Sequence, residues 1–85
     1  MIVSVIDAKY LDNFKIDITL NLLESNSDKI VEKVVDLKDY ISSKKNSGIF
    51  APLKNRDYFK NFTLNSNTLE WPNGADIAPE RFLEL

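Results

Sequence analysis

The chemistry open to this chain is narrow, because its 85 residues include no His and no Cys. Zinc sites of the Cys/His kind and nucleophiles activated by His are therefore excluded. The reactive side chains that remain are 13 carboxylates, 11 Lys and Arg, and 3 Tyr. Acid–base catalysis needs two carboxyl groups at a set separation in a cleft, and the carboxylate spacing predicts no such pair. We expect a protein that is not an enzyme and that uses no cofactor and no metal.

The last 18 residues concentrate the stereochemically special side chains, with the only Trp, one of two Gly and two of three Pro. Pro72 ends a predicted strand, because proline lacks the N–H that a ladder needs. Asn73 and Gly74 predict a tight turn, since both tolerate positive φ. Pro79 suits the first position of a helix, where a missing N–H has no consequence. These residues predict a strand, a tight loop and a short closing helix.

Three candidate binding residues lie in that loop: Trp71, Asn73 and Asp76. Trp71 could be a platform for a ligand, but a lone Trp in a small domain more often anchors the core. Asp76 could be a functional carboxylate, but a loop Asp commonly accepts backbone N–H bonds ahead of a helix.

A second group of candidates lies in the basic middle of a chain whose net charge is −2. Between residues 38 and 60 there are six cations and only two anions. Lys44, Lys45 and Phe50 could contact an anionic partner, but a solvated Lys-rich loop explains the same pattern. The aromatic side chains there could stack on bases, although core packing is their commoner use. Because the whole chain is acidic, we expect no direct contact with nucleic acid.

The run from Glu70 to Glu80, with Trp71-Pro72-Asn73-Gly74 at its start, strongly resembles the C-terminal signature of a bacterial family, the domain of unknown function numbered 2442. The resemblance extends upstream to residues 48–54, to Phe59, and to Asp36 and Leu37. These segments follow the family's order and cover most of the chain. They are specific for the family and not for an activity.

The resemblance implies a small standalone protein that works by recognition. Some members are encoded beside another small protein in what look like toxin–antitoxin pairs, and would be the antitoxin half. Others carry a fused helix-turn-helix domain. This chain ends directly after its predicted closing helix, so we expect it to lack a DNA-binding part of that kind.

The elements that must position these residues predict an α+β fold. Residues 1–6 are β-branched and predict a first strand, followed by a loop over residues 7–13. Residues 14–22 alternate strictly between apolar and polar and predict a half-buried second strand. After a polar loop at residues 24–28, residues 29–35 predict a third strand, although their spacing also fits a helix. The expected architecture is a three-stranded N-terminal meander, short helices and a C-terminal hairpin.

In the C-terminal half, Asn55 predicts the cap of a short helix over residues 56–60. Strands are expected at residues 61–64 and 68–71. A chain of 85 residues is expected to form a single domain, 1–85. It carries no apolar run of the roughly 20 residues that a membrane helix needs, and no signal peptide. We expect a cytoplasmic protein without membrane association.

Two functions remain open from the sequence. The first is a protein-interaction module, in one form an antitoxin-like neutraliser, which binds a protein partner through a strand edge or through the loop over residues 44–53. The second is a small-ligand sensing domain with a pocket beneath Trp71, Pro72, Asn73 and Gly74. A homodimer is compatible with either function.

Overall fold

The computed structural model describes residues 1–43 and 48–85, and its main element is a three-stranded antiparallel sheet. β1 spans Ile2–Tyr10, β2 spans Lys15–Glu24 and β3 spans Ser27–Asp36. The strand order is β1-β2-β3, so β2 is central and the other two strands form the edges. A two-stranded hairpin, short helices and 3-10 turns complete the chain, which confirms the α+β class.

The remaining elements are short. In chain order they are α1 (Lys38–Ser42), a 3-10 turn (Ala51–Lys54), α2 (Arg56–Phe59), β4 (Thr63–Asn65), β5 (Thr68–Glu70) and a closing 3-10 turn (Pro79–Leu83). The predicted cap is confirmed, because Asn55 Oδ1 accepts hydrogen bonds from the N–H groups of Asp57 and Tyr58, which begin α2. Over the described ranges, no helix has the length and apolarity that a membrane crossing requires.

The alternation in β2 is confirmed and gives the sheet its two faces. Ile16, Ile18 and Leu20 are fully buried on the inner face, which packs against the helices and the C-terminal segment. The residues between them belong to the opposite face, which we call the open face. Its members are Ile2, Ser4, Asp7 and Lys9 on β1, Lys15, Asp17, Thr19, Asn21 and Leu23 on β2, and Asp28, Ile30, Glu32, Val34 and Asp36 on β3.

The third segment is a strand and not the alternative helix. β3 pairs with β2 without interruption, from Glu24 opposite Ser27 to Lys15 opposite Asp36. The predicted loop over residues 24–28 is wrong in length: a two-residue turn joins the strands directly. Ser25 and Asn26 form this turn with φ values of 49° and 68°, which match the twist of a tight hairpin.

The predicted loop over residues 7–13 is also wrong, because β1 continues to Tyr10. The register shifts at a bulge between Val5 and Asp7, which leaves Ile6 exposed. Beyond the bulge, Ala8 and Tyr10 pair with Ile18 and Ile16 and pack against the core. The bulge explains the error, since it interrupts the alternation of apolar and polar residues by which a strand is predicted from sequence.

The core lies between the inner face and the C-terminal half, with Phe59 at its aromatic centre. The Phe59 ring lies 5.1 Å from Phe14 and 5.9 Å from Tyr10 by centroid, both edge to face. The Phe59 ring also lies 5.6 Å from the Trp71 ring by centroid, in a tilted arrangement. The interpretation of the central aromatic residues as core is therefore confirmed, because Phe50 and Phe59 are buried and the other three, Tyr40, Tyr58 and Phe62, are partly buried and pack against the core.

Candidate protein-interaction surface

The two edges of the sheet differ in what covers them. Along β1, the Val5 N–H donates to the carbonyl of Asn67 in the β4–β5 turn at 2.8 Å, so the hairpin closes part of that edge. β3 pairs with β2 alone. No backbone hydrogen bond from the described residues reaches its other side. A ten-residue strand therefore presents an unpaired edge.

The tight turn determines which backbone groups point outward. In a two-residue hairpin the closing pair, here Glu24 and Ser27, exchanges both of its hydrogen bonds. Hydrogen-bonded and non-bonded pairs then alternate along the ladder, so odd-numbered residues of β3 bond to β2. The even-numbered residues direct their N–H and C=O groups away from the sheet. These residues are Asp28, Ile30, Glu32 and Val34.

The same even-numbered residues carry their side chains on the open face, where two of them are apolar. Ile30 is 59% exposed and Val34 is 54% exposed. Acidic residues separate and flank them: Asp28, Glu32 and Asp36. The outer edge of β3 thus combines free backbone groups with an alternation of acidic and apolar side chains.

Three carboxylates lie near one another on the open face, those of Asp7, Asp17 and Glu32. Asp7 on β1 and Glu32 on β3 both pair with Thr19 of β2, and Asp17 is two residues away from Thr19 on the same face. A side-chain hydrogen bond with Asp17, followed by the negative charges of Asp17 and Asp7, raises the pKa of Glu32 above its ordinary value of 4.5. Asp17 Oδ1 and Asn21 Oδ1 are shielded from solvent and have no hydrogen-bond partner. The centre of the open face therefore has acceptors in excess of donors.

These carboxylates do not form a metal centre. Among the residues that the structure describes, no group of three or more His, Cys, Asp or Glu side chains is arranged to hold an ion. The exposed carboxylates of Asp7 and Glu32 are instead suited to cationic side chains from outside the chain.

Trp71, the first predicted binding residue, is buried in the core. It is 2% exposed, and its Nε1–H donates to the backbone carbonyl of Phe59 at 2.8 Å. Phe62 packs edge to face on the same ring at 6.2 Å between centroids. The interpretation of Trp71 as a core anchor is confirmed, since its one polar group is already bonded inside the protein.

Asn73 and Gly74 close the loop after Trp71. The Asn73 amide Nδ2 donates to the Ile49 carbonyl at 2.7 Å, and its Oδ1 accepts from the N–H of Ala75 at 3.1 Å. Gly74 has a φ of 88°, as the turn requires, and its N–H donates to the Trp71 carbonyl. The side chain of Asn73 thus ties the loop to the segment that precedes Phe50.

Asp76 and the two prolines have different environments. Asp76 is exposed and forms an isolated backbone bridge with Glu70. The predicted cap is wrong, because the closing 3-10 turn begins after Ala78 without a side-chain cap. Pro72 follows Trp71 directly after β5, and Pro79 is the first residue of the closing turn, both as predicted.

The other predicted binding residues are divided between two regions. Lys44 and Lys45 lie outside the described residues. Phe50 is 9% exposed and packs edge to face on Tyr40 at 5.8 Å between centroids. The structure brings Asn73 to the segment of Phe50 through Ile49. A binding role for these residues remains a prediction.

Sequence reasoning named a strand edge but did not identify Ile30 and Val34. Their signal was present in the two adjacent apolar pairs of β3, Ile30-Val31 and Val34-Val35. In a strand, neighbouring residues point to opposite faces. Each pair therefore places one apolar side chain on the inner face and one on the open face.

Comparison with known proteins gives a family but no function. No curated protein and no solved structure matches the chain. A family model described as "Protein of unknown function (DUF2442)" matches residues 5–85, which include all of β2 and β3 and the whole Trp71 loop. The chain therefore belongs to this family of proteins of unknown function.

Proposed function

We propose that this protein is a non-catalytic interaction module that binds a protein partner through the outer edge of β3. The observation that carries the proposal is the combination of an unpaired ten-residue edge with exposed Ile30 and Val34 on the same outward-facing positions. An extended segment of a partner would add a fourth strand to the sheet, which is a common mode of peptide recognition.

The energetics favour such a strand. Each outward N–H and C=O group of β3 is already solvated, so a new backbone bond contributes only about 0.5–1.5 kcal/mol net. Burial of the exposed parts of Ile30 and Val34 adds to this, at roughly 25 cal/mol per Å² of apolar surface. Several backbone bonds and two apolar contacts together suit a specific, reversible complex.

The proposal is tested by affinity capture with a matched pair of variants. The tagged wild-type chain, Val34→Lys and Leu64→Lys are each used to recover partners from the native cell lysate at low salt. Leu64 is a fair control because it is an apolar residue of β4 with 47% exposure, close to the 54% of Val34. We expect Val34→Lys to lower recovery of a stoichiometric partner at least about tenfold and Leu64→Lys to leave it unchanged.

Thermal unfolding of the three proteins shows whether a loss reflects binding or folding. Both substitutions are at exposed positions, so their melting temperatures should stay close to that of the wild type. Equal recovery of the partner by Val34→Lys and the wild type would contradict binding at β3.

An antitoxin-like role is the form of this function that the family resemblance favours, and co-expression tests it. The recovered partner is expressed alone and together with this chain. Growth arrest by the partner alone, relieved by the wild-type chain but not by Val34→Lys, would support a neutralising role at this edge. A partner that does not arrest growth when expressed alone would contradict the antitoxin-like role and favour an adaptor function.

The second candidate function is small-ligand sensing, and the observation that favours it is an open surface pocket of about 350 Å³. This pocket lies near the β2–β3 turn and not beneath the Trp71 loop. Its lining residues are Met1, Leu22, Glu24, Ser27 and Lys29. Its volume falls in the range of small-molecule sites. A thermal-shift screen with metabolites, repeated on Leu22→Ala, would favour sensing if a compound stabilised only the wild type.

A further inference from the structure

The charges of β3 are separated by face along the whole strand. Its three acids, Asp28, Glu32 and Asp36, lie on the open face. Its two lysines, Lys29 and Lys33, lie at odd-numbered positions and therefore on the inner face. A strand added to this edge would meet anions on one of its faces and cations on the other.

This separation decides against a second copy of β3 as the occupant. When two copies of β3 pair antiparallel around a two-fold axis perpendicular to the sheet, both open faces lie on the same side of the joined sheet, so even-numbered residues oppose even-numbered residues. No such register can place a lysine opposite an acid. Two registers share the greatest overlap, nine residues of β3. In one of them Glu32 opposes Glu32 and Asp28 opposes Asp36, and in the other Lys29 opposes Lys33. Like charges directly opposite are destabilising.

Further carboxylates near the outer edge of β3 make the open face more favourable for a cationic side chain. Asp7 and Asp17 lie close enough to act electrostatically on Glu32. The two ion pairs among the described residues, Lys60–Asp57 and Arg81–Glu84, lie elsewhere. Of the acids of β3, only Asp36 has a lysine, Lys15, directly opposite it on β2.

We propose that the occupant of the outer edge of β3 is an extended segment of a different protein with Lys or Arg side chains on the open face, opposite Asp28, Glu32 and Asp36. Its open-face residues opposite Ile30 and Val34 are apolar, and its inner-face residues opposite Lys29 and Lys33 are acidic. This inference rests on the proposed function and specifies the chemistry of the partner. The acids thus block self-pairing and select a complementary strand.

Two synthetic nine-residue peptides test the inference on the full chain. The complementary peptide is Lys-Thr-Val-Glu-Lys-Thr-Val-Glu-Lys, which in antiparallel register places cations opposite the three acids and Glu opposite the two lysines. The reversed peptide is Glu-Thr-Val-Lys-Glu-Thr-Val-Lys-Glu, with the same Val and Thr positions and every charge inverted. Binding is measured from backbone amide chemical shifts, which also locate the site.

We expect the complementary peptide to shift the amides of Ile30, Glu32 and Val34 and to bind at least about tenfold more tightly than the reversed peptide. Its affinity should fall as salt is raised. A Glu32→Lys variant should lose most of this preference. Asp12→Lys, the same charge change in the β1–β2 connection, should keep it.

The outcomes separate this inference from the proposed function. Equal binding of both peptides at the edge would overturn the charge requirement and leave edge binding intact. No binding of either peptide at the edge would overturn both. A dimer of the free chain in size-exclusion chromatography, with the same three amides protected from exchange, would overturn the exclusion of a second copy.

Discussion

Glu32 lies at the middle of the outer edge of β3, and its pKa is affected by two other carboxylates. Its hydrogen bond with Asp17 requires a proton on one of the two groups, and the negative charges of Asp17 and Asp7 favour the protonated form of Glu32. The pKa of Glu32 is therefore above 4.5 in the folded state. Ionisation of Glu32 beside these two carboxylates therefore lowers the stability of the folded state.

We predict that Glu32→Gln stabilises the protein at neutral pH and not in acid. A raised pKa means that the folded state holds the proton more tightly, so the contribution of the pair to stability is fully present below the unfolded pKa and is lost as pH rises through the folded pKa. Gln donates a hydrogen bond at every pH. Urea unfolding between about pH 4 and pH 7 should show the advantage of the variant growing with pH. A constant difference would contradict the interaction with Asp17.

Gly74 shows how one residue holds the Trp71 loop. Its φ of 88° is unfavourable for L-residues, although a Cβ there would meet no atom within 4 Å. We predict that Gly74→Val lowers the free energy of unfolding by about 1–3 kcal/mol through backbone strain alone. Gly74→Asn should be milder, because Asn tolerates positive φ better than other L-residues. Equal melting temperatures for the Val variant and the wild type would show that the loop adopts another conformation.

At the scale of elements, strict local sequence patterns were sufficient to predict some of the strands and helices. The alternation of β2 and the Asn55 cap are local signals, and the structure confirms both. β1 was predicted too short because the bulge at Ile6 breaks its pattern, and the strand persists only because β2 offers partners as far as Ile16. A long-range pairing cannot be read from the residues of one strand.

The candidate surface was less predictable than the strands for a similar reason. Whether a strand is an edge depends on which other strand lies beside it, and neighbours in space need not be neighbours in sequence. The exposed residues of β3 could be found from its adjacent apolar pairs, but the coverage of β1 depends on a single bond from Val5 to Asn67, 62 residues later. In contrast, the role of Trp71 followed from composition, since a small core recruits its largest side chain.

At the scale of the whole molecule, the fold is asymmetric. The C-terminal half packs on the inner face and closes part of the β1 edge, while the open face and the outer edge of β3 are left uncovered by the described residues. The exposed apolar residues Ile2, Leu23, Ile30 and Val34 share that open face. One side of the molecule therefore contains the core, and the other exposes apolar and acidic side chains to solvent.

Residue-resolved amide hydrogen exchange of the labelled chain, free and with the protein captured by the wild type, shows directly whether a partner strand pairs with the outer edge of β3. In the free chain, we expect slow exchange at Val31, Lys33 and Val35, which bond to β2, and fast exchange at Ile30, Glu32 and Val34. In the complex, the second group should become slow. Fast exchange at Ile30, Glu32 and Val34 in the complex as well would contradict binding at the outer edge of β3.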